Sequence, residues 1–192
     1  MNKRFGMVVD QERCIGCEAC SVACRIENNA SAFWIRVETQ NVSQKDIPEG
    51  KFPDLKMDFL PHLCNHCEKP SCVDACPVEA LVKRKDGLVV LNEGLCTKCQ
   101  ACLTACPYNS IFYNREKDLV EKCNLCAQRI DQGLEPFCVV CCEGQALHFG
   151  DLNDPNSEIS QIIANQETFQ LKPEAGTNPS VYYCPPKLKR RL

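Results

Sequence analysis

The sequence has no stretch that approaches the roughly 18 consecutive apolar residues of a membrane-spanning helix. Residues 1–14 include basic side chains but no apolar run, so we expect no secretory signal peptide here. There is also no glycine-rich nucleotide loop and no catalytic dyad. We therefore expect no transmembrane segment, no catalytic residue and no enzymatic activity of the protein on its own.

An excess of positive charge is also absent. The chain has 22 lysine and arginine residues against 25 aspartate and glutamate residues, for a formal net charge of −3. Nucleic-acid-binding domains usually present a basic surface, so we expect no nucleic-acid partner. The 192 residues leave room for one domain, or for two small ones with a modest core.

Cysteine, in contrast, is abundant, with 18 residues in this short chain. Such a content indicates either a disulfide scaffold or bound metal. All but Cys141 and Cys184 fall into four groups. The groups are Cys14, Cys17, Cys20 and Cys24; Cys64, Cys67, Cys72 and Cys76; Cys96, Cys99, Cys102 and Cys106; and Cys123, Cys126, Cys138 and Cys142.

The spacing within the groups separates three explanations. Disulfides have no reason to repeat gaps of two, two and three residues, and close thiols pair poorly. Zinc favours two C-x2-C pairs a dozen or more residues apart, and residues 123–142 alone would fit it. The C-x2-C-x2-C-x3-C run of groups one and three is that of two-cluster ferredoxins, whose fourth cysteine ligates the other cluster. Taken together, the groups favour iron–sulfur clusters and no zinc.

Short apolar runs flank the groups and predict brief strands at residues 6–10, 80–84, 87–92, 110–114 and 146–151. Short helices are expected at 19–29, 102–108 and 157–166, and a further strand at 34–39. This pattern predicts an α+β fold of two ferredoxin-like modules, one nested inside the other, with irregular partner-binding loops. The predicted parts are an outer module at 1–30 plus 115–150, a connecting segment at 31–59, an inner module at 60–114, and a partner-contacting extension at 151–192.

The order of the motifs resembles one family. CIGCEACSVAC, LCNHCEKPSCVDACP, CTKCQACLTACPY and KCNLCAQRIDQGLEPFCVVCC are similar to motifs in the four-cluster electron-transfer subunits of molybdopterin oxidoreductases. The family includes dimethyl sulfoxide, polysulfide and arsenate respiratory reductases. The resemblance covers nearly the whole chain, although the gap between groups three and four is shorter here than in many relatives. It does not identify the terminal substrate.

The resemblance implies four [4Fe–4S] clusters, each held by cysteines from two groups. Clusters A and B would be held by Cys14, Cys17, Cys20 and Cys142, and by Cys24, Cys123, Cys126 and Cys138. Clusters C and D would be held by Cys64, Cys67, Cys72 and Cys106, and by Cys76, Cys96, Cys99 and Cys102. Separately, their positions near ligand loops make four side chains candidates for tuning cluster potentials: Lys98, Lys122, Arg129 and His66.

The resemblance also implies partners. A catalytic subunit would carry the molybdopterin or tungstopterin and lie nearest cluster A, with a quinone-linked membrane subunit, a cytochrome or a soluble carrier beyond cluster D. The protein would be cytoplasmic, or periplasmic by co-export, and peripheral to the membrane if a membrane subunit exists. The alternative is a free-standing polyferredoxin. The segment after residue 150 argues against it, because a shuttle needs little beyond its clusters.

Overall fold

A computed structural model of the chain describes residues 3–40, 42–44 and 46–186, so the end of the predicted extension, 187–192, lies outside it. The strands are β1 (Phe5–Asp10), β2 (Arg36–Gln40), β3 (Asp58–His62), β4 (Leu81–Lys83), β5 (Val89–Leu91), β6 (Ile111–Asn114), β7 (Leu119–Lys122), β8 (Leu147–Asp151) and β9 (Val181–Cys184). The α-helices are α1 (Ala19–Glu27), α2 (Ser71–Asp74), α3 (Ala101–Ala105), α4 (Ala127–Ile130), α5 (Phe137–Val140) and α6 (Glu158–Asn165). The predicted strands and helices are confirmed, with shifted ends.

The largest sheet joins three distant parts of the chain in the order β8–β1–β9. Strand β1 pairs antiparallel with β8, with Val9 opposite Leu147, and parallel with β9, with Val8 opposite Tyr182. The middle of β1 is fully buried. Its apolar run therefore suits a strand that is covered on both faces.

Three antiparallel hairpins complete the strands: β2–β3, β4–β5 and β6–β7. A two-stranded hairpin is marginally stable alone, so each must pack against something else. Leu81 of β4, Ile111 of β6 and Val120 of β7 share one core with Tyr108 and several cysteines. A second core lies under the three-stranded sheet and again includes cysteines beside aliphatic and aromatic side chains.

The segment after residue 150 is part of the same fold. Ser157 is the N-cap of helix α6, and its hydroxyl accepts a hydrogen bond from the Ser160 N–H at 3.3 Å. Ile159 of that helix is buried beside Val8 of the central strand. The described part of the extension thus packs on its own chain, and its contact with a partner stays a prediction. No helix within the described ranges is long and apolar enough to cross a membrane.

Candidate metal centres

Four cysteines from distant parts of the chain, here named quartet A, line one pocket: Cys14, Cys17, Cys20 and Cys142. The first two lie in the loop before α1, and Cys20 lies in the first turn of that helix. Burial, with smaller contributions from the neighbouring Cys14 and Cys142, raises the pKa of Cys20 to about 12. The thiols are therefore close enough to oppose one another's ionisation.

Quartet B consists of four buried cysteines, Cys24, Cys123, Cys126 and Cys138. Helix α1, which carries Cys24, packs against α5, which carries Cys138. Burial raises the pKa of Cys138 well above its usual value, and its three neighbours in the quartet raise it further. The packing of two short helices therefore brings group one to group four.

Quartet C is also fully buried and consists of Cys64, Cys67, Cys72 and Cys106. Cys64 and Cys67 lie in the loop after β3, Cys72 lies in α2, and Cys106 ends α3. Burial raises the pKa of Cys72 to about 12, and the nearby Cys64, Cys106 and Cys67 contribute in the same direction.

Quartet D lines a second pocket and consists of Cys76, Cys96, Cys99 and Cys102. Burial raises the pKa of Cys102 to about 11, and the other three thiols add to the rise. The structure thus brings the cysteines together in the four sets that the resemblance implies. The assignment of one cluster to each set stays a prediction.

The first C-x2-C pair of each group shares one backbone feature with the first pair of every other group. The residue before the second cysteine has a positive φ in each pair: Gly16 at +70°, His66 at +41°, Lys98 at +64° and Leu125 at +56°. This conformation is uncommon for residues other than glycine, and it is concentrated at functional sites. Its recurrence in loops of different sequence indicates that the four loops perform the same task.

Backbone N–H groups reach the sulfur of two cysteines that end a group. The Ala80 N–H donates to Cys76 Sγ and the Ala146 N–H donates to Cys142 Sγ, both at 3.2 Å. In each case the donor lies four residues after the acceptor. Hydrogen bonds to a ligand sulfur stabilise its negative charge and raise the potential of a bound cluster.

A side chain takes the equivalent place after group one. Asn28 lies four residues after Cys24, and its Nδ2 lies 3.8 Å from Cys24 Sγ and 3.7 Å from Cys126 Sγ. It therefore links two cysteines of quartet B that come from different groups. Asn28 is not among the side chains predicted from the sequence. The sequence signal for Asn28 is its position four residues after Cys24. Hydrogen-bond donors also lie four residues after Cys76 and Cys142.

Two of the four predicted tuning residues form ion pairs with carboxylates. Lys98 Nζ lies 2.7 Å from a carboxylate oxygen of Asp118, and both side chains are about half exposed. Arg129 lies 3.6 Å from Glu27 and donates to the Glu135 carbonyl oxygen at 2.7 Å. The Lys98–Asp118 pair is screened by solvent, whereas Arg129 and Glu27 are each about one-fifth exposed, so this second pair is partly buried.

The other two, Lys122 and His66, are buried between quartets B and C. The Lys122 ammonium donates to the carbonyl oxygen of Cys123 at 2.6 Å and to that of Val89. Burial raises the pKa of Cys72, Cys106 and Cys123, and the charge of Lys122 opposes that rise.

Burial lowers the pKa of His66 well below its usual value, so this imidazole is neutral. Its Nδ1 accepts a hydrogen bond from the Val89 N–H at 3.0 Å. Lys122 is therefore the one of the four candidates that brings a buried positive charge to the cysteines.

The two cysteines outside the quartets have different surroundings. Cys141 Sγ lies 3.6 Å from the carbonyl oxygens of Ala19 and Cys138, beside quartet A. Cys184 is buried at the end of β9.

Comparison with known proteins gives two family matches, each described as a 4Fe–4S dicluster domain, over residues 13–80 and 55–152. A tetrathionate reductase subunit of Salmonella typhimurium is 40% identical, with 94% of this chain and 72% of that protein covered. The iron–sulfur subunit of the arsenate respiratory reductase of a Shewanella species is 36% identical, with coverages of 94% and 95%. A polysulfide reductase component of Wolinella succinogenes is 37% identical, with 97% of both covered.

This protein belongs to the family of 4Fe–4S dicluster proteins. It is a 4Fe–4S protein of the type found as the iron–sulfur subunit of molybdopterin oxidoreductases, as its motifs indicated. Its relatives are non-catalytic electron-transfer subunits of reductase complexes. The expectation that the chain is not an enzyme on its own is therefore confirmed. Both dicluster matches also support the ferredoxin-like character of the fold.

Proposed function

We propose that this chain passes single electrons between a molybdopterin or tungstopterin catalytic subunit and a second electron carrier, by means of four [4Fe–4S] clusters held by quartets A to D. Each quartet offers four thiols, which is the ligand set of such a cluster. Buried thiols with raised pKa values ionise only when a cationic group compensates the charge. The donor sets therefore fit the clusters.

The spacing of the thiols supports clusters rather than zinc. In residues 3–40, 42–44 and 46–186, no three His, Cys, Asp or Glu side chains are close enough to hold a single metal ion. Thiolates 2.3 Å from one tetrahedral zinc ion would lie about 3.8 Å apart. The cysteines of quartet A and those of quartet D each surround a common pocket, which suits a polynuclear group. Each [4Fe–4S] cluster, when bound, supplies a centre that takes up and releases one electron.

The arrangement of the quartets carries the functional proposal. Quartets B and C are wholly buried, whereas quartets A and D each include an exposed cysteine, Cys17 and Cys99 respectively. Burial and the thiols of quartet B contribute most to the raised pKa of Cys24. Cys20 of quartet A raises the pKa of Cys24 further. Quartet A is thus the neighbour of quartet B.

The remaining neighbours complete a row. The pKa of Cys123 in quartet B is raised by burial and next by Cys64 of quartet C. Quartets C and D share the packed helices α2 and α3, which position Cys72 and Cys102. The order A–B–C–D, with both ends at the surface, is what a path between two partners requires.

The strand pairing supports the nested arrangement of the modules. Strands β1 and β8 pair although groups two and three lie between them in the chain. Strands β4, β5 and β6 of the inner range pack with the cysteines of quartets C and D, and β7, from the start of the outer range, joins them through its pairing with β6. We therefore propose that residues 60–114 form an inner module. Residues 1–30 and 115–150 together form the outer module that encloses it.

Exposed apolar side chains at the two ends of the row support docking of two partners. Ile15, next to Cys14, is 62% exposed, and Leu95, next to Cys96, is 53% exposed. Exposed apolar residues at a functional site are typical of protein interfaces. By the family resemblance, we place the catalytic subunit at quartet A. A quinone-linked membrane subunit, a cytochrome or a soluble carrier would then meet quartet D.

A free-standing polyferredoxin is the second candidate. The length of the tail no longer argues against it, because β9 belongs to the central sheet and is needed by the fold. Family membership argues against it instead, since the named relatives are subunits of reductases.

Anaerobic purification tests the proposal directly. We expect a brown protein with about sixteen iron atoms per chain and a co-purifying pterin subunit. A zinc-loaded colourless chain would contradict the clusters, and a brown monomer without a pterin subunit after gentle extraction would favour the polyferredoxin. Cys99→Ser should alter the EPR signal of one cluster, and Cys24→Ser that of a different one. Alteration of the same signal by both variants would contradict the assignment of ligands.

A further inference from the structure

The C-terminal segment covers the loop that carries Cys67. The Lys69 N–H donates to the carbonyl oxygen of Thr177 at 3.0 Å, and the Glu68 N–H donates to that of Asn178 at 2.7 Å. Residues 177–180, which we name the strap, therefore lie along residues 65–69. The strap is far from every cysteine group in sequence.

The strap brings a hydroxyl group to a second hydroxyl inside the core. Thr177 Oγ1 lies 2.5 Å from the Tyr108 hydroxyl oxygen, and both residues are buried. Tyr108 shares its apolar core with Cys67. Burial raises the pKa of Cys67 to about 11, and a hydrogen bond from Thr177 opposes that rise.

The number of hydrogens decides what this group can do. Two hydroxyls carry two hydrogens, and only one of them can lie between the two oxygen atoms. The other hydrogen is left for a further acceptor, and Cys67 lies both in the core that contains Tyr108 and in the loop that the strap covers. Whichever hydroxyl donates to the other, one O–H therefore remains for the sulfur.

We propose that the Tyr108–Thr177 hydroxyl pair donates a hydrogen bond to Cys67 Sγ and thereby raises the reduction potential of the cluster at quartet C. The proposal rests on the proposed function, because it requires a cluster in that quartet. A hydrogen bond to a ligand sulfur favours the reduced state, which carries more negative charge. The strap is then a positioning element for electron transfer as well as a part of the fold.

The surroundings of the equivalent cysteines explain why quartet C needs such a donor. Cys17 and Cys99 occupy the same place in their C-x2-C pairs, and both are exposed. Water can donate hydrogen bonds to their sulfurs. Cys67 is buried, so a protein hydroxyl has to replace the water.

Redox titration followed by EPR, on the full chain purified anaerobically, tests the inference. Removal of both hydroxyls in the double variant Thr177→Val/Tyr108→Phe should lower one of the four midpoint potentials, by about tenfold in the one-electron equilibrium, or about 59 mV. Each single variant leaves one hydroxyl that can donate and should cause a smaller shift. Thr177→Ser keeps both hydroxyls and should retain the wild-type potential. Tyr182→Phe, on the adjacent strand β9, is the matched control and should leave all four potentials unchanged.

The outcomes separate this inference from the proposed function. Absence of four cluster signals in the wild-type protein would contradict the proposed function. Four signals with unchanged potentials in the double variant would overturn the hydroxyl pair alone. If the double variant fails to retain its iron, the two single variants decide. A lowered potential in either single variant supports the pair, and unchanged potentials in both overturn it.

Discussion

Side chains that look alike in the sequence differ here because of burial. Lys98 and Lys122 both lie next to a ligand loop. The first is paired with Asp118 at the surface, whereas the second is buried with its ammonium on two carbonyl oxygens. A charge in a low-dielectric interior acts over a longer distance than a solvated one. Lys122, between quartets B and C, is therefore placed to favour the reduced state of the clusters that we propose there.

Replacing Lys122 by methionine should lower the potentials of the clusters at quartets B and C. Removal of one buried charge near the cysteines is expected to change each reduction equilibrium by roughly tenfold, or about 59 mV. EPR-monitored redox titration of the full chain measures the shift. Lys98→Met is the control, and its potentials should stay at the wild-type values. Equal shifts in the two variants would show that burial does not govern the effect.

At the scale of elements, the ligand loops combine a repeated backbone conformation with different neighbours. Gly16 and Lys98 occupy the same position in their loops and share a positive φ, so a side chain is compatible with the turn itself. The constraint at Gly16 comes from packing. A Cβ there would lie 2.4 Å from the ring of Phe59 in β3. Close approach of two elements, rather than the turn, therefore requires glycine.

Gly16→Ala should disrupt quartet A. The clash with Phe59 is expected to destabilise the loop by about 1–3 kcal/mol. Iron analysis should then show a loss of up to about four iron atoms per chain, with the EPR signal of one cluster diminished.

Two variants control this experiment. Gly133, like Gly16, has a positive φ, in this case +77°, but a Cβ added there would meet no atom within 4 Å. The iron content of Gly133→Ala should therefore be retained. Adding Phe59→Ala to Gly16→Ala should restore iron, because it removes the ring. A double variant as poor in iron as Gly16→Ala would show that the ring is not the cause.

At the scale of the whole molecule, the cysteines are part of both main cores. Nine of the buried residues that form the two larger cores are cysteines. Helices α2, α4 and α5 have only four residues each. Helices so short do not persist without tertiary support. The fold therefore depends on whatever the cysteines hold.

Removal of iron should abolish cooperative unfolding of the protein. The ligand loops would lose their cross-links between distant segments, and metal-binding free energy in such proteins is also folding free energy. Circular dichroism during denaturant unfolding, before and after anaerobic treatment with an oxidant and a chelator, measures this. An iron-free chain with an unchanged unfolding midpoint would contradict the prediction.

Local sequence determined much of this protein. The gaps between cysteines specify ligand loops, and the apolar runs beside them specify strands such as β1 and β8, because both features depend on neighbouring residues. The family followed from the same motifs. Tertiary structure alone decided what depends on distant segments: the pairing of β9 with β1, the placement of Thr177 beside Tyr108 and Cys67, and the burial of Lys122 but not Lys98. The spacing of residues along the chain does not show which remote strand excludes water from a loop. The exclusion of water determines how strongly a nearby charge acts on the cysteines and which groups donate hydrogen bonds to them.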